Sequence, residues 1–395
     1  MPVQNRSARA GRYVSQPTGY RAFYPALLPP VPPVAIEGEL LRLLSDADRA
    51  LARLDAVSTF LPNPDLFVAM YVRQEAVLSS QIEGTQSTLE DVLAFEANAT
   101  HNKAPKDVEE VVNYVRAMKH GLKRLPELPL SLRLLREIHK ELMHNVRGAE
   151  RTPGEFRTSQ NWIGPQGSTL SNAAFVPPPA HELMQFLGNF ETFIHAHKVD
   201  TPLLIQCGLA HAQFETIHPF LDGNGRVGRL LIALMLCEAN ALARPLLYLS
   251  HYLKANRTEY YDRLTAIRER GDWEGWLRFF LRGVAQVSLQ ANETARRIIA
   301  MRETQRAAFA ANANALKLID ALFERPIVNV KQTSEILGVS YVTANALVAK
   351  LEKAGLLKEV TSWGRNRVFR FQAYLALFSG ESAPKSMRPG SNSPA

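Results

Sequence analysis

Two cysteines in 395 residues are too few for a disulfide scaffold or a cysteine zinc cluster. Cys207 and Cys237 fall on apolar helical faces, so both are expected as buried free thiols. No apolar run reaches the roughly 20 residues that a membrane-spanning helix needs. The N-terminus also lacks the charged-then-apolar profile of a secretory leader. The chain therefore reads as cytoplasmic, with no membrane partner. Charge is not concentrated either: the formal +8 is diffuse, which permits polyanionic ligands without specifying one. What is present is 46% hydrophobic residues, enough for two or three domains with real cores.

Chemistry is concentrated in Ile217-His218-Pro219-Phe220-Leu221-Asp222-Gly223-Asn224-Gly225-Arg226-Val227-Gly228-Arg229. Apolar residues before it (Leu203, Cys207, Ala210, Phe214) and after it (Leu230, Leu234, Cys237, Ala241) recur by threes and fours, so the run joins two buried helices. Gly223, Gly225 and Gly228 match the dinucleotide fingerprint, but no β-branched strand precedes them. A P-loop fails because Arg229 and Leu230 stand where lysine and a hydroxyl residue are required. A calcium loop starting at Asp222 fails because no carboxylate closes it.

What remains is a glycine-rich turn feeding a helix N-terminus, where free N–H groups and the helix dipole favour an anion. Asn224 can donate to that anion, and Arg226 and Arg229, three apart, can serve one face of it. Asp222 suits Mg²⁺, which takes one or two carboxylates together with substrate phosphates. His218 is placed to accept a proton from an attacking hydroxyl. Taken together, the run resembles the Fic-family signature His-Pro-Phe-x-Asp-Gly-Asn-Gly-Arg-x-x-Arg at every fixed position. The resemblance implies a helical enzyme that moves AMP from ATP to a Ser, Thr or Tyr hydroxyl of a protein target, the chain itself included. It implies His218 as general base, Asp222 as Mg²⁺ ligand, and Gly223, Asn224, Gly225, Arg226, Val227, Gly228 and Arg229 as the anion hole, with Arg229 on the γ-phosphate.

Upstream, Ser79-Ser80-Gln81-Ile82-Glu83-Gly84 resembles the Ser-x-x-x-Glu-Gly inhibitory helix of one class of that family. Ser79 and Glu83 share a helical face. The resemblance implies that Glu83 pairs with Arg229 and keeps ATP out of its productive pose. Between the motifs, Gly, Pro and Asn punctuation from Asn161-Trp162-Ile163-Gly164 to Phe175-Val176-Pro177-Pro178-Pro179 predicts a small hairpin. In the family such a flap holds the target by strand addition, which here points to Asn172, Phe175 and Val176. Tyr260 and Tyr261 fall where relatives contact adenine; one ring can stack while the other packs inward, and a core or surface role stays open for both.

The expected fold is mainly α: a Fic-type helical core with a hairpin flap and a C-terminal winged helix. Residues 1–100 would form an N-terminal arm and the helical region with the inhibitory helix, 101–300 the catalytic core, 301–378 a linker helix and winged helix, and 379–395 a disordered tail. The basic, proline-rich lead to about residue 35 reads as an extended arm. Thr333 to Ala344 reads as helix, glycine turn and hydroxyl-capped helix, followed by two short strands around Trp363-Gly364-Arg365-Asn366. In a DNA-binding role Ser340, Tyr341, Thr343 and Asn345 would face the groove, and Arg365 and Arg367 the backbone. Packing on its own chain or on a protein partner is the equal alternative. The family resemblance also suggests a homodimer. Rival functions are a nucleotide-sensing transcriptional regulator, or a Fic enzyme that transfers or removes another phosphate-linked group.

Overall fold

The computed structural model describes residues 8–378 apart from 60–63, 97–106, 147, 149, 166, 197–200 and 362–366. The expected tail and the Trp363 to Asn366 turn lie outside the described residues. The elements run β1 (Arg12–Ser15), β2 (Arg21–Tyr24), α1 (Gly38–Thr59), α2 (Pro64–Ile82), α3 (Leu89–Glu96), α4 (Val108–Arg124), α5 (Leu132–Leu142) and α6 (Leu183–His195). They continue with α7 (Leu203–Ile217), α8 (Asn224–Glu238), α9 (Ser250–Ala255), α10 (Arg257–Arg270), α11 (Trp273–Ala308) and α12 (Ala313–Glu324). The chain then forms β3 (Ile327–Asn329), α13 (Val330–Leu337), α14 (Tyr341–Lys353), β4 (Lys358–Glu359), β5 (Val368–Arg370) and α15 (Gln372–Ala376). The fold is mainly helical, as expected. None of the described helices is long and apolar enough to cross a membrane.

The described residues fall into two compact units, one within 1–60, 70–92 and 105–292, the other within 61–69, 93–104 and 293–395. In the first unit, α7 is buried from Leu204 to Ile217, and α8 from Asn224 to Leu236. A helix apolar on all sides belongs in a core. Accordingly α7 packs on α8, α6, α1 and α10, while α4 and α5 pack on each other and on α8. Trp276 sits within 6.0 Å, centroid to centroid, of His211, Tyr260, Phe279 and Phe280. Its Nε1 donates to the Gly208 carbonyl at 2.8 Å, tying α11 to α7.

The N-terminal lead is not an extended arm throughout. Arg12–Ser15 and Arg21–Tyr24 pair antiparallel, with Val14 opposite Ala22 and Tyr13 opposite Phe23. Its proline-rich composition conceals two short strands whose Ala22 and Phe23 are buried. Phe23 N–H donates to the Val176 carbonyl at 2.9 Å, and Asn189 exchanges two 2.9 Å hydrogen bonds with the Leu28 backbone.

In the second unit, β3, β5 and β4 form an antiparallel sheet in that order. The helix boundaries follow from capping chemistry. Asn329 and Gln332 form a reciprocal capping box at α13, Gly338 ends it at φ 69°, and Ser340 caps α14 by accepting from Thr343 N–H at 3.2 Å. Leu318, Leu322, Phe323, Val348, Leu351 and Phe369 form the core.

Because Trp276 is fully buried with its N–H paired, Trp276→Ala should lower unfolding stability by about 3–5 kcal/mol. Urea denaturation followed by circular dichroism measures this, and an unchanged midpoint would contradict the packing described.

Candidate active site

The turn between α7 and α8 starts with a strained residue. His218 caps α7 in the left-handed region, φ 51° and ψ 61°, which side chains with a Cβ seldom adopt. Two side chains hold it there. Arg157 donates from Nε to the His218 carbonyl at 2.9 Å and from Nη2 to the Pro178 and Ile217 carbonyls at 2.6 and 3.3 Å. Asn161 Nδ2 donates to the Phe220 carbonyl at 2.8 Å and the His218 carbonyl at 3.2 Å. With the carbonyls turned towards these donors, the imidazole faces the pocket. His218 Nδ1 lies 3.4 Å from the Glu215 carbonyl, which can only accept, so the proton belongs on Nδ1 and Nε2 is bare. Burial, aided by Arg157 and Arg268, pushes the His218 pKa down to about 4 and keeps the ring neutral.

A third brace is His139. Its Nδ1 accepts from Gly154 N–H at 2.8 Å, so Nε2 carries the proton and donates to the Asp222 carbonyl at 3.1 Å. The ring stacks on Phe220 at 3.8 Å and 6°. Asp222 is thereby fixed by its backbone, while its carboxylate stays one-third exposed. Oδ1 accepts from Gly223 N–H at 2.7 Å, and among the described residues Oδ2 has only a long, 3.5 Å contact with Arg151. Asn224 is spent on the turn itself: its side chain accepts from Phe220 N–H and donates to the Phe220 carbonyl, both at 2.8 Å.

The two arginines diverge, contrary to the expectation of one shared face. Arg226 turns to α4 and pairs with Glu110 at 3.1 Å, both side chains at most 5% exposed. Arg229 turns to α2, donating from Nε to Ser79 Oγ at 2.7 Å and from Nη2 to the Ser79 carbonyl at 3.0 Å and to Glu83 Oε1 at 2.6 Å. Burial would raise the Glu83 carboxyl, but the Arg229 charge outweighs it and holds its pKa below the ordinary value. The carboxylate stands over the start of α8. A Cβ at Gly225 would come within 2.2 Å of Glu83 Oε1, so only glycine admits this approach.

These groups enclose a pocket of 270 Å³, just below the roughly 300–1,000 Å³ usual for small-molecule sites. Glu83, His218, Asp222, Gly223, Asn224, Gly225, Arg229, Tyr260 and Tyr261 line it. Val227 is wholly buried, and Gly228 gives its carbonyl to His211 Nδ1 at 2.8 Å; neither they nor Arg226 are on the wall. Tyr260 is buried with its hydroxyl 2.9 Å from His211 Nε2, whereas Tyr261 is 41% exposed.

The flap closes through one reciprocal pair, Ile163 N–H to Phe175 O at 2.8 Å and Phe175 N–H to Ile163 O at 3.0 Å. Pro177, Pro178 and Pro179 lack the N–H groups to extend it. Phe175 and Val176 do not present an open edge to a target. Both are 5% exposed, Val176 gives its carbonyl to Phe23, and Arg268 lies over the Phe175 ring at 3.8 Å. Asn172 closes the exposed turn by accepting from Thr169 N–H at 2.6 Å. The flap residues on the pocket wall are Trp162, Ile163 and Gly164.

Comparison with known proteins agrees with this architecture. Residues 41–123 match the Fic/DOC family N-terminal region and residues 129–236 the Fic/DOC family itself. Two stretches of the chain, one holding Glu83 and the other the loop from His218 to Arg229, thus match Fic/DOC family regions. Among curated relatives, the protein adenylyltransferase Fic of Drosophila erecta is 28% identical over 202 residues, 50% of this chain and 37% of the relative. That of Drosophila virilis is 29% identical over 197 residues, 49% of this chain and 36% of the relative. The match therefore spans little more than a third of these relatives' length. A Fic family protein from Desulfovibrio desulfuricans G20 shares the fold at TM-score 0.56 and 19% identity, covering 86% of this chain and 97% of that one. A Fic domain containing signaling protein from Bacteroides thetaiotaomicron VPI-5482 does so at 0.51 and 18%, covering 64% of this chain and 97% of that one.

Arg157, Asn161 and His139 position the loop, and no local sequence signal marked their role. Arg157→Ala leaves buried carbonyls without their donor and should cost about 3 kcal/mol or more in unfolding stability. Guanidinium chloride denaturation checks this; a loss below about 1 kcal/mol would mean that the His218 corner is held by other groups.

Proposed function

We propose that this chain is an autoinhibited protein adenylyltransferase, transferring AMP from ATP to a hydroxyl of a protein. The observation that carries the reading is the Glu83 carboxylate lying over Gly225 and against Arg229, at the N-terminus of α8. A carboxylate bound there marks an anion site, because a guanidinium fork and helix N–H groups take phosphate as readily. Glu83 thus stands where phosphate would bind and is the inhibitory residue, with Ser79 steadying Arg229 from behind.

With Glu83 withdrawn, Arg229 and the backbone of Gly223 to Gly225 hold the polyphosphate. The bare Nε2 of His218 then takes the proton of the target hydroxyl as its oxygen attacks the α-phosphate and pyrophosphate departs. Arg157 and Asn161 keep the ring aimed. Asp222 Oδ2, with a long contact to Arg151, fits as the single carboxylate of a Mg²⁺ that would take its other ligands from phosphate and water. That ion, when bound, would offset phosphate charge. Tyr261, half exposed on the wall, offers a ring face to the base, and Trp162 to Gly164 present the flap's pocket side to the target.

The second unit we read as a winged helix, on the order of α12, β3, α13, α14, β4 and β5. Tyr341, Val342, Thr343 and Asn345 are exposed on the first turns of α14 and available to a groove. Ser340 is spent on its cap, and Arg367 is held by Glu352 at 3.1 Å and Glu359 at 2.7 Å, which takes it away from a DNA backbone. Arg365 lies outside the described residues.

Incubation with Mg²⁺ and α-labelled ATP tests the reading. Glu83→Gly should increase protein labelling about tenfold or more, and His218→Ala should reduce it by about 10²–10⁴. Equal labelling of wild type and Glu83→Gly would remove the inhibitory assignment. Sequence-selective DNA binding, unaffected by His218→Ala and without labelling in any variant, would favour the regulator. In the Glu83→Gly variant the acid limb of kcat/KM should lie well below 6.5. His218 sits near 4, and Glu83 is one of the groups that raise it. A limb at about 6.5 would contradict His218 as the base.

A further inference from the structure

Glu215 has no part in the chemistry above, yet it stands on the same wall. It belongs to α7, three residues before His218, is 7% exposed, and lines the pocket beside Arg229, Tyr260 and Tyr261. Its Oε1 is buried and has no hydrogen-bond partner among the described residues. The carboxyl lies over Gly228: a Cβ there would come within 2.6 Å of Oε1. The third glycine of the loop, which is not on the wall of this pocket, is explained as room for this group. Burial raises its pKa to about 7 against the pull of Arg229, with Glu83 adding to the rise and Arg268 opposing it.

An unpaired buried polar group costs about 1–3 kcal/mol, and an apolar side chain would avoid that cost. No described residue supplies the missing partner, and the pocket beside it is open to a ligand. Phosphate offers no proton to a carboxyl acceptor and repels an ionised one, so it suits only the neutral form of this group. The opposite end of a nucleotide carries neutral donors, hydroxyl and amino groups. The terminal torsion of Glu is broad and roughly two-fold, so either oxygen can be turned towards the pocket.

Resting on the adenylyltransferase reading, we infer that Glu215 is a specificity residue for the donor nucleotide, accepting a hydrogen bond from a hydroxyl or amino group of its nucleoside. Calorimetric binding to the full chain carrying Glu83→Gly tests it. The probes are a non-hydrolysable ATP analogue and its 2′-deoxy, 3′-deoxy and inosine counterparts. One counterpart, the one lacking the donor, should bind about 10- to 100-fold more weakly than the parent. Adding Glu215→Ala should bring the parent down to that level and close the gap. Glu215→Gln, which keeps an acceptor, should preserve it. The unliganded Glu215→Ala protein should be at least as stable as its background, because an orphaned polar group is removed. An unchanged gap, an equal loss for all four ligands, or a fall in unliganded stability would overturn the inference while leaving the adenylyltransferase reading in place. Failure of every nucleotide to bind the Glu83→Gly chain would overturn both.

Discussion

A guanidinium cannot be buried without acceptors, and the site is organised around how Arg229 meets that demand. Burial works against its charge, but Glu83, Tyr260 and Glu215 outweigh it and raise its pKa above the ordinary value. Ser79 supplies two neutral acceptors, a hydroxyl and a carbonyl, in the interior of the contact. Glu83 supplies the charged one, from a side chain still 35% exposed. Arg229 is therefore held twice, by an inner contact that ties α8 to α2 and by an outer one that solvent or another anion can reach. Removing the outer partner does not strand the arginine, provided a second anion replaces it. On the autoinhibited reading proposed above, this separation lets a contact that closes the pocket also open.

Arg226 makes the contrast. Its pair with Glu110 is closed to solvent on both sides, so no ligand can exchange into it. Such a pair does little for net stability but penalises any arrangement that parts the charges. Residues three apart on a helix differ by about 60° around its axis. That is enough to send one arginine to α4 and the other to α2. Spacing alone allows both to one anion or one to each neighbour; the choice lies with carboxylates 146 and 116 positions away.

The same distinction separates what was legible from what was not. The helix, turn and helix around His218 follow from local periodicity, as do α13 and α14 from Asn329, Gly338 and Ser340, because caps and glycine turns act within a few residues. The pairing of Glu83 with Arg229 was reachable only through family resemblance. Arg157, Asn161 and His139 were not reachable: their hydrogen bonds to the turn span 57 to 83 positions, and an arginine in a loop carries no mark of where its guanidinium will lie. The burial of Phe175 and Val176 is not legible locally, because the strand that bonds to Val176 comes from a proline-rich lead more than 150 positions away.

A base near pKa 4 is weaker than general-base catalysis at neutral pH favours, and the causes of that shift show how the proposed reaction would correct it. Two of the groups that depress it are the cations Arg157 and Arg268, while Glu83 is one that raises it. Exchange of one carboxylate for a polyphosphate puts more negative charge beside the ring, which moves His218 towards its ordinary value. The same charge acts on Glu215 in the opposite chemical sense, favouring its protonated, neutral form. A ligand that strengthens the base would thus also quiet the buried acid beside it. On the proposed reading, the site with Glu83 on Arg229 holds both groups at settings less suited to transfer than the nucleotide-bound one.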